Sequence, residues 1–464
     1  MILPNLLSLA SLSTLIDIGL PPRTTCILLY AVLAIWAQRF PAPLTAVLFL
    51  ALLCYDLIST LALMFNLAPS ELLAALDQAK RIHFLSSPLY ICLIGVMMVT
   101  TAFALYLLTR REKLAHGNII FLFAAALAFA ALDYVTNISP QYYFGSFFGK
   151  HVPVVSAADA SGFNKVAGTN GRNVVLVIVE SLGYMTDPAK RARIDEPLSA
   201  TSVTRKYAVS SGTATYYGST TSGEMRELCE TRAFYSDYAP KFGYSCLPEL
   251  LHQRGYNSLA VHAFSGGMFE RDQWYPRVGF DKELFGSELV KKTGRVCGSA
   301  FRGACDSDLA PVIAQEARKF APADKPRFIY WLTLNTHIPV APGDARTNFN
   351  CASPKNPFGQ ATVCRMAELW HDLFGAVAQL ALNPAIGPAD ILVVGDHAPP
   401  LWSKRGRSMF APGKVAWYRL TPRADAVSAN GTTWLSSQSI LGASHPVLVN
   451  AASVIGGSRP EIAR

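Results

Sequence analysis

The stretch Asn173-Val174-Val175-Leu176-Val177-Ile178-Val179-Glu180-Ser181 sets six consecutive apolar residues directly ahead of a carboxylate and a hydroxyl. Apolarity that continues rather than alternates marks a strand buried on both faces, the habit of a parallel sheet covered by helices. Comparable β-branched runs follow at 258–261, 328–334, 391–394 and 415–420, with helical patterns between several of them. The expectation is an α/β domain with a mainly parallel central sheet covered by helices. In such sheets the chemistry gathers at the carboxyl ends of strands.

The residues just past these runs suit a metal. Run 174–179 ends in Glu180-Ser181, run 328–334 in Asn335-Thr336-His337 and run 391–394 in Gly395-Asp396-His397, while run 258–261 leads into His262. Carboxylate and imidazole donors at neighbouring strand ends can hold a divalent ion, Zn, Mn or Mg according to geometry. A single His or Asp there is more often a capping group, but coincidence at four strand ends points to a site. The segment Tyr217-Gly218-Ser219-Thr220-Thr221-Ser222-Gly223-Glu224 adds a small, hydroxyl-rich turn leading into a helical pattern. That arrangement sets a hydroxyl beside backbone N–H groups able to hold a phosphoryl group. Alone, the turn reads as an ordinary Ser/Thr helix cap.

The first third of the chain has a different composition. Residues 1–150 hold 8 of the 41 Lys and Arg and 6 of the 32 Asp and Glu, and long apolar runs fill most of the rest. Four stretches, 24–38, 43–66, 85–108 and 117–137, meet or approach the ~20 apolar residues a bilayer-crossing helix needs. A fifth, 3–20, lacks the basic start and cleavage site of a secretory signal and reads as a first span. Arg110, Arg111 and Lys113 fix one loop as cytoplasmic, so the 117–137 helix runs outward. The 67–84 loop then lies outside, with 70–81 as a short interfacial helix that tolerates Lys80 and Arg81. This divides the chain into a transmembrane domain of about five helices (1–140), an interfacial linker (141–170) bearing the aromatic stretch 142–148, and a catalytic domain (171–464). Asp17 and Asp56, inside apolar segments, are expected near a span end or against a neighbouring helix.

Residues 151–464 carry 33 basic and 26 acidic residues, a surplus that suits an anionic partner. No Lys/Arg-rich run or nucleic-acid reader motif is present, and proximity to anionic lipid accounts for the bias, so nucleic acid is not expected as a partner. Six of the nine cysteines fall in this half. An even set after an exported boundary suggests disulfides, and sequential pairing (Cys229 with Cys246, Cys297 with Cys305, Cys351 with Cys364) is the expected connectivity among those open. Cys26, Cys54 and Cys92 read as apolar filler in the membrane segments.

Taken together, residues 170–420 resemble the alkaline phosphatase and sulfatase superfamily, and within it the lipoteichoic acid synthase, phosphoglycerol transferase and phosphoethanolamine transferase group. The run ending in Glu180 is similar to the family's first strand, whose terminal Glu is a metal ligand. Thr220, in Thr220-Thr221-Ser222-Gly223-Glu224, stands where the synthase motif Thr-Ser-Asp-Ala-Glu has its nucleophile; Thr221 is the neighbouring alternative, and Ser222 replaces the motif's Asp. Gly395-Asp396-His397 looks like the Gly-Asp-His that supplies two further ligands. His337 resembles the phosphate-holding His of a Thr-His-x-Pro stretch. His262 and Arg271 match a substrate-binding His and Arg, with Phe269 in place of a Trp.

The resemblance implies one divalent ion, Zn or Mn with Mg also admissible, held by Glu180, Thr220, Asp396 and His397. It implies transfer of a head group from phosphatidylethanolamine or phosphatidylglycerol to an envelope glycan or lipid through a phosphothreonine. The setting would be a bacterial inner membrane with the catalytic domain facing the periplasm or cell exterior. The spacing of His262 and Arg271 leans toward phosphoglycerol, the cysteines toward phosphoethanolamine. A formylglycine sulfatase does not fit, because no soluble Cys sits in the required Cys/Ser-x-Pro/Ala-x-Arg element. A membrane-anchored phosphodiesterase or sulfatase-like hydrolase is the first alternative, and an inactive envelope-assembly protein the second.

Overall fold

The computed structural model describes residues 3–12, 17–65, 67, 69–110, 118–138, 153–237, 246–320 and 325–424. The basic loop 111–113 and the aromatic stretch 142–148 lie outside these residues.

The α/β domain is organised on β1 (Asn173–Val179), β2 (Gly183–Met185), β3 (Tyr207–Thr215), β4 (Asn257–His262), β5 (Lys282–Phe285), β6 (Val296–Cys297), β7 (Gly303–Ala304), β8 (Arg327–Leu332), β9 (Ala389–Gly395) and β10 (Phe410–Pro422). The main sheet has the order β2-β10-β9-β1-β8-β4-β5, with β3 also on β10. Five strands, β5-β4-β8-β1-β9, run parallel, and β10 closes the sheet antiparallel to β9, β2 and β3. β6 and β7 form a separate hairpin.

The two-sided burial read from the sequence has a direct counterpart. Along β1, Val175, Val177 and Val179 enter one apolar cluster, with Ile313, Trp370 and Phe374 from helices. Val174, Leu176 and Ile178 enter the other, with Met225, Leu251 and Trp274. Successive strand side chains point to opposite faces, so only an uninterrupted apolar run satisfies both layers.

Three N-terminal helices, Ala42–Met64, Pro88–Thr109 and Ile119–Asn137, are long and apolar enough to cross a membrane. The other two expected spans are shorter. Thr24–Trp36 has 13 residues, a rise of roughly 20 Å against a core of about 30 Å. The stretch 3–20 contains a helix only at Leu6–Ser11, and its far end turns onto the α/β domain. There the Gly19 amide donates to the Trp402 carbonyl at 2.7 Å, and Asp17 accepts from the Ser403 hydroxyl and the Arg405 amide. On the loop between the two longest helices, the helix Pro69–Ala74 runs into a 3-10 turn at Ala75–Arg81. Arg81 reaches the Ser265 hydroxyl at 3.3 Å, and the His83 amide donates to the Ala300 carbonyl at 2.9 Å. Both segments therefore lie on the α/β-domain side of the helices.

The described part of the expected linker, 153–170, packs into the α/β domain. Ala157, Ala158, Phe163 and Ala167 are buried in the α/β core, and the Ala157 and Ala158 amides donate to Glu227 at 3.1 and 3.2 Å. Three disulfides, Cys229–Cys246, Cys297–Cys305 and Cys351–Cys364, follow the sequential pairing.

Candidate active site

Strand pairing alone brings two carboxylates together. β1 and β9 are adjacent and parallel with Val179 opposite Gly395, so Glu180 and Asp396 leave the sheet side by side. Ser181 takes a left-handed backbone (φ 59°), which turns the chain back over the strand end. Its amide then donates to Asp396 Oδ1 at 2.7 Å and its hydroxyl to Glu180 Oε1 at 2.8 Å. Thr220 is the first residue of the helix Thr220–Cys229. Its hydroxyl donates to Glu180 Oε2 at 3.1 Å and lies 3.4 Å from His397 Nε2. Thr220, not Thr221, is the threonine that meets Glu180 and His397.

Ligand atoms of Glu180, Asp396 and His397 lie within 4.8 Å of one another, and all three residues are buried. Asp396 Oδ1 accepts from the Ser181 and His397 amides, whereas Oδ2 is buried without a hydrogen-bond partner among the described residues. The His397 Nδ1 faces the Ala398 carbonyl at 2.9 Å; with the proton placed there, Nε2 presents its lone pair to the carboxylates. Burial, reinforced by repulsion from Glu180, raises the Asp396 pKa above the usual carboxylate range. Burial works against charge on His397, yet Asp396 and Glu180 together raise its pKa. Two buried carboxylates sharing one imidazole form an electrostatic arrangement that a divalent cation relieves. The donors, two carboxylate oxygens and one imidazole nitrogen with the Thr220 oxygen beside them, suit a divalent cation.

The helix that begins at Thr220 is seated on the Gly395–His397 turn by two residues that sequence reasoning missed. A Cβ on Gly223 would stand 2.7 Å from Asp396 Cβ, so only glycine allows this approach. One turn on, Arg226 donates to the Asp396 carbonyl at 3.0 Å and the Gly395 carbonyl at 2.7 Å, and its Nε to Glu227 at 2.6 Å. Gly223 and Arg226 are three apart and share a helix face. That spacing was present in the sequence, but nothing in it named Gly395 and Asp396 as the partners.

The expected substrate-binding residues divide. His262, Phe269, Arg271 and His337 all reach the wall of one cavity that also exposes Thr220 and His397. Burial pushes the His262 pKa well down and the His337 pKa down to about 4. Each has Nδ1 against a backbone carbonyl, Leu332 for His262 and Ile338 for His337, which leaves Nε2 as a neutral acceptor. The Phe301 ring lies 3.8 Å from that of His337, and Phe269 carries the Arg271 guanidinium at 5.3 Å. Arg271 also has a partner inside the protein. It forks onto Glu224 at 3.0 and 2.8 Å, and its remaining nitrogen donates to the Met268 carbonyl. Tyr275 and Tyr330 donate to the same Glu224, so this guanidinium is neutralised at the cavity wall.

The cavity, about 1120 Å³, is shared between the two parts of the molecule. Leu53, Leu57, Leu93 and Met97 of the two long apolar helices Ala42–Met64 and Pro88–Thr109 line it together with Glu180, Thr220, His262 and His337.

Residues 172–364 match the Sulfatase family model. No curated protein matches the sequence. Among solved structures, the lipoteichoic acid synthase LtaP from Listeria monocytogenes is similar at 17% identity and TM-score 0.41, over 54% of this chain and 65% of that one. The phosphoglycerol transferase GacH of Streptococcus pyogenes, in complex with sn-glycerol-1-phosphate, aligns at 18% identity and TM-score 0.39, over 56% and 73%. The C-terminal periplasmic domain of EptC from Escherichia coli, in a complex with Zn, aligns at 15% and 0.38, over 57% and 76%. Less than two thirds of the Listeria protein is spanned. The family match covers the residues that bear Glu180, Thr220 and His262, and the α/β domain is sulfatase-like.

Proposed function

We propose that this protein transfers a phospholipid-derived head group, phosphoglycerol or phosphoethanolamine, to a cell-envelope glycan or lipid through a phosphothreonine on Thr220. It would work from a bacterial inner membrane with the α/β domain on the outer side. One observation carries the reading: the Thr220 hydroxyl, beside Glu180 and His397, faces a cavity whose other walls are membrane helices. A lipid in the bilayer can thus extend its phosphate toward the hydroxyl while its acyl chains stay among Leu53, Leu57 and Met97.

Glu180, Asp396, His397 and Thr220 would hold the divalent ion, Zn or Mn, which when bound lowers the pKa of the threonine hydroxyl and withdraws charge from the phosphoryl group. Glu180 orients the hydroxyl through their hydrogen bond. In the first step the Thr220 oxygen bonds to phosphorus and the bond to the diacylglycerol oxygen breaks. The threonine proton ends on that oxygen. In the second step an acceptor hydroxyl bonds to phosphorus, the threonine bond breaks, and the acceptor's proton returns to Thr220. His262 and His337, neutral with Nε2 open, are suited to carry these protons. The apolar cavity walls keep water from competing with the acceptor.

Intact mass spectrometry of the full chain after incubation with either lipid tests this reading. Wild type should gain the mass of one phosphoglycerol or phosphoethanolamine unit, and Thr220→Ala should gain neither. An unchanged wild-type mass with both lipids, at full occupancy of the metal, defeats the mechanism.

A further inference from the structure

Three arginines reach the cavity wall, Arg23, Arg271 and Arg365. Two are neutralised within the protein. Arg23 pairs with Asp56, and Arg271 with Glu224. Arg365 is different. It sits half-buried in the second turn of the helix Ala361–Leu382, next to Cys364, which the disulfide to Cys351 pins. It forms no hydrogen bond or ion pair with any described residue. Glu368, one turn further on, attracts it only through space, because its carboxylate is turned to the Phe349 amide, accepting at 2.7 Å. Gln360, on the same wall, is occupied in capping the helix through the Val363 amide.

A half-buried guanidinium that makes no hydrogen bond or ion pair with the described residues keeps its donors available to an anion entering the cavity. The cavity must also receive a phosphate ester if Thr220 is to be phosphorylated, and the arginine that the resemblance would offer that phosphate is held by Glu224. Charge complementarity therefore falls to the one arginine on the wall that no described residue neutralises. The guanidinium fork matches phosphate oxygens in pairs, which a lysine cannot reproduce.

We propose that Arg365 is the anion-binding side chain of this cavity, pairing with a phosphate ester brought there for reaction with Thr220. The proposal rests on the transfer reading for the identity of the ester, but not for the existence of the anion site.

The test uses the full chain in detergent with the divalent ion supplied, comparing wild type, Arg365→Gln and Arg365→Lys in two arms. In the first, titration calorimetry follows binding of inorganic phosphate. In the second, mass spectrometry follows the Thr220 adduct as phosphatidylglycerol or phosphatidylethanolamine is raised in mixed micelles. Arg365→Gln should weaken phosphate binding, or raise the half-saturating lipid, by roughly tenfold or more. The maximal adduct level should be kept, and Arg365→Lys should recover part of the loss. An effect in the lipid arm alone supports the proposal with the lipid phosphodiester as the ligand. An effect on phosphate alone, with no wild-type adduct from either lipid, supports the anion site and removes the transfer reading. Phosphate affinity and half-saturating lipid both unchanged in Arg365→Gln would overturn the proposal. Thermal unfolding of each variant shows whether the fold is retained, and the Lys variant keeps the comparison valid if the Gln variant is unstable.

Discussion

Asp56 and Asp133 lie inside membrane helices, Glu180 and Asp396 at strand ends of the α/β domain, and all four are buried. Their surroundings differ. Arg23 pairs with Asp56 through two nitrogens and gives its backbone amide to Asp133 at 2.8 Å. Tyr30 adds a bond to Asp56, and Asn137 donates to Asp133 at 3.0 Å. Ser8 and Ser11 of the first short helix complete the cluster, accepting from Arg23 and Asn137. Within the α/β domain, Glu224 and Glu227 are compensated by Arg271 and Arg226 in the same manner. Among the described residues, Glu180 and Asp396 have one imidazole as their ion-pairing partner. Buried carboxylates met by guanidinium groups hold elements together, whereas the pair left short of positive charge is where a cation belongs. Burial alone would not have separated the two kinds.

The largest effect that would break this comparison is at Arg23. Arg23→Ala leaves Asp56 buried without its partner, and the expected loss is about 3–5 kcal/mol in detergent unfolding. Replacing both residues by leucine should recover part of that stability, since neither member of the pair then remains to be desolvated and only Asp133, held by the residue-23 amide and Asn137, stays buried. Metal affinity at Glu180 should be unchanged in the double variant. A loss below about 1 kcal/mol for Arg23→Ala, the range of an exposed pair, would mean that water reaches Asp56 and that the two clusters are not opposites.

Much of the α/β half was legible because a doubly buried strand needs an uninterrupted apolar run, six residues at 174–179 and four at 391–394. The runs at 174–179 and 391–394 became β1 and β9 with their terminal residues in place. Parallel adjacency then put Glu180 beside Asp396, as their positions at strand ends implied. Short or half-exposed strands were not legible: β2 has three residues, and β3 alternates polar and small residues along an edge. Span counting weighs apolar length alone, so it did not foresee that Asp17 and Gly19, at the far end of the 3–20 stretch, bond to the α/β domain. Arg271 shows a further limit. Its spacing from His262 matched a substrate-binding pair, but Glu224, forty-seven positions earlier, decides where its guanidinium points. Such long-range pairings carry no local signal.

A sharper test within the α/β domain concerns Arg226, whose charge is compensated by Glu227 but whose other nitrogens hold the carbonyls of Gly395 and Asp396. It touches no reacting atom and acts by positioning. Arg226→Gln should lower metal affinity by about 10–100-fold, the usual cost of losing support behind a ligand. Chelator competition measures this. Arg226→Lys, retaining charge but not the fork, should fall between. If excess metal restores the Thr220 adduct in Arg226→Gln, the role is to set the ligands; if metal affinity matches wild type, the clamp is dispensable.

The smallest effect lies at Asp306, a carboxyl that is buried but not a ligand. Its Oδ2 accepts the Leu334 and Asn335 amides at 2.8 and 2.7 Å, fixing the turn that leads to His337. Its Oδ1 has no hydrogen-bond partner among the described residues. Burial, with a smaller contribution from Glu180, pushes its pKa up to about 7 from 3.8. Between those two values the folded chain keeps a proton that the unfolded chain has released, so stability should fall as pH rises through this window. Asp306→Asn does not titrate and retains an acceptor for the two amides, so its stability should decline less across the same range. Denaturant midpoints at the two ends of the window, wild type against variant, read the difference. Supplying the divalent ion should shrink the wild-type slope, because neutralising Glu180 removes part of what opposes ionisation of Asp306. A slope indifferent to metal would place Asp306 outside the field of the Glu180 and Asp396 pair, and a slope indifferent to Asp306→Asn would assign the pH dependence to another group.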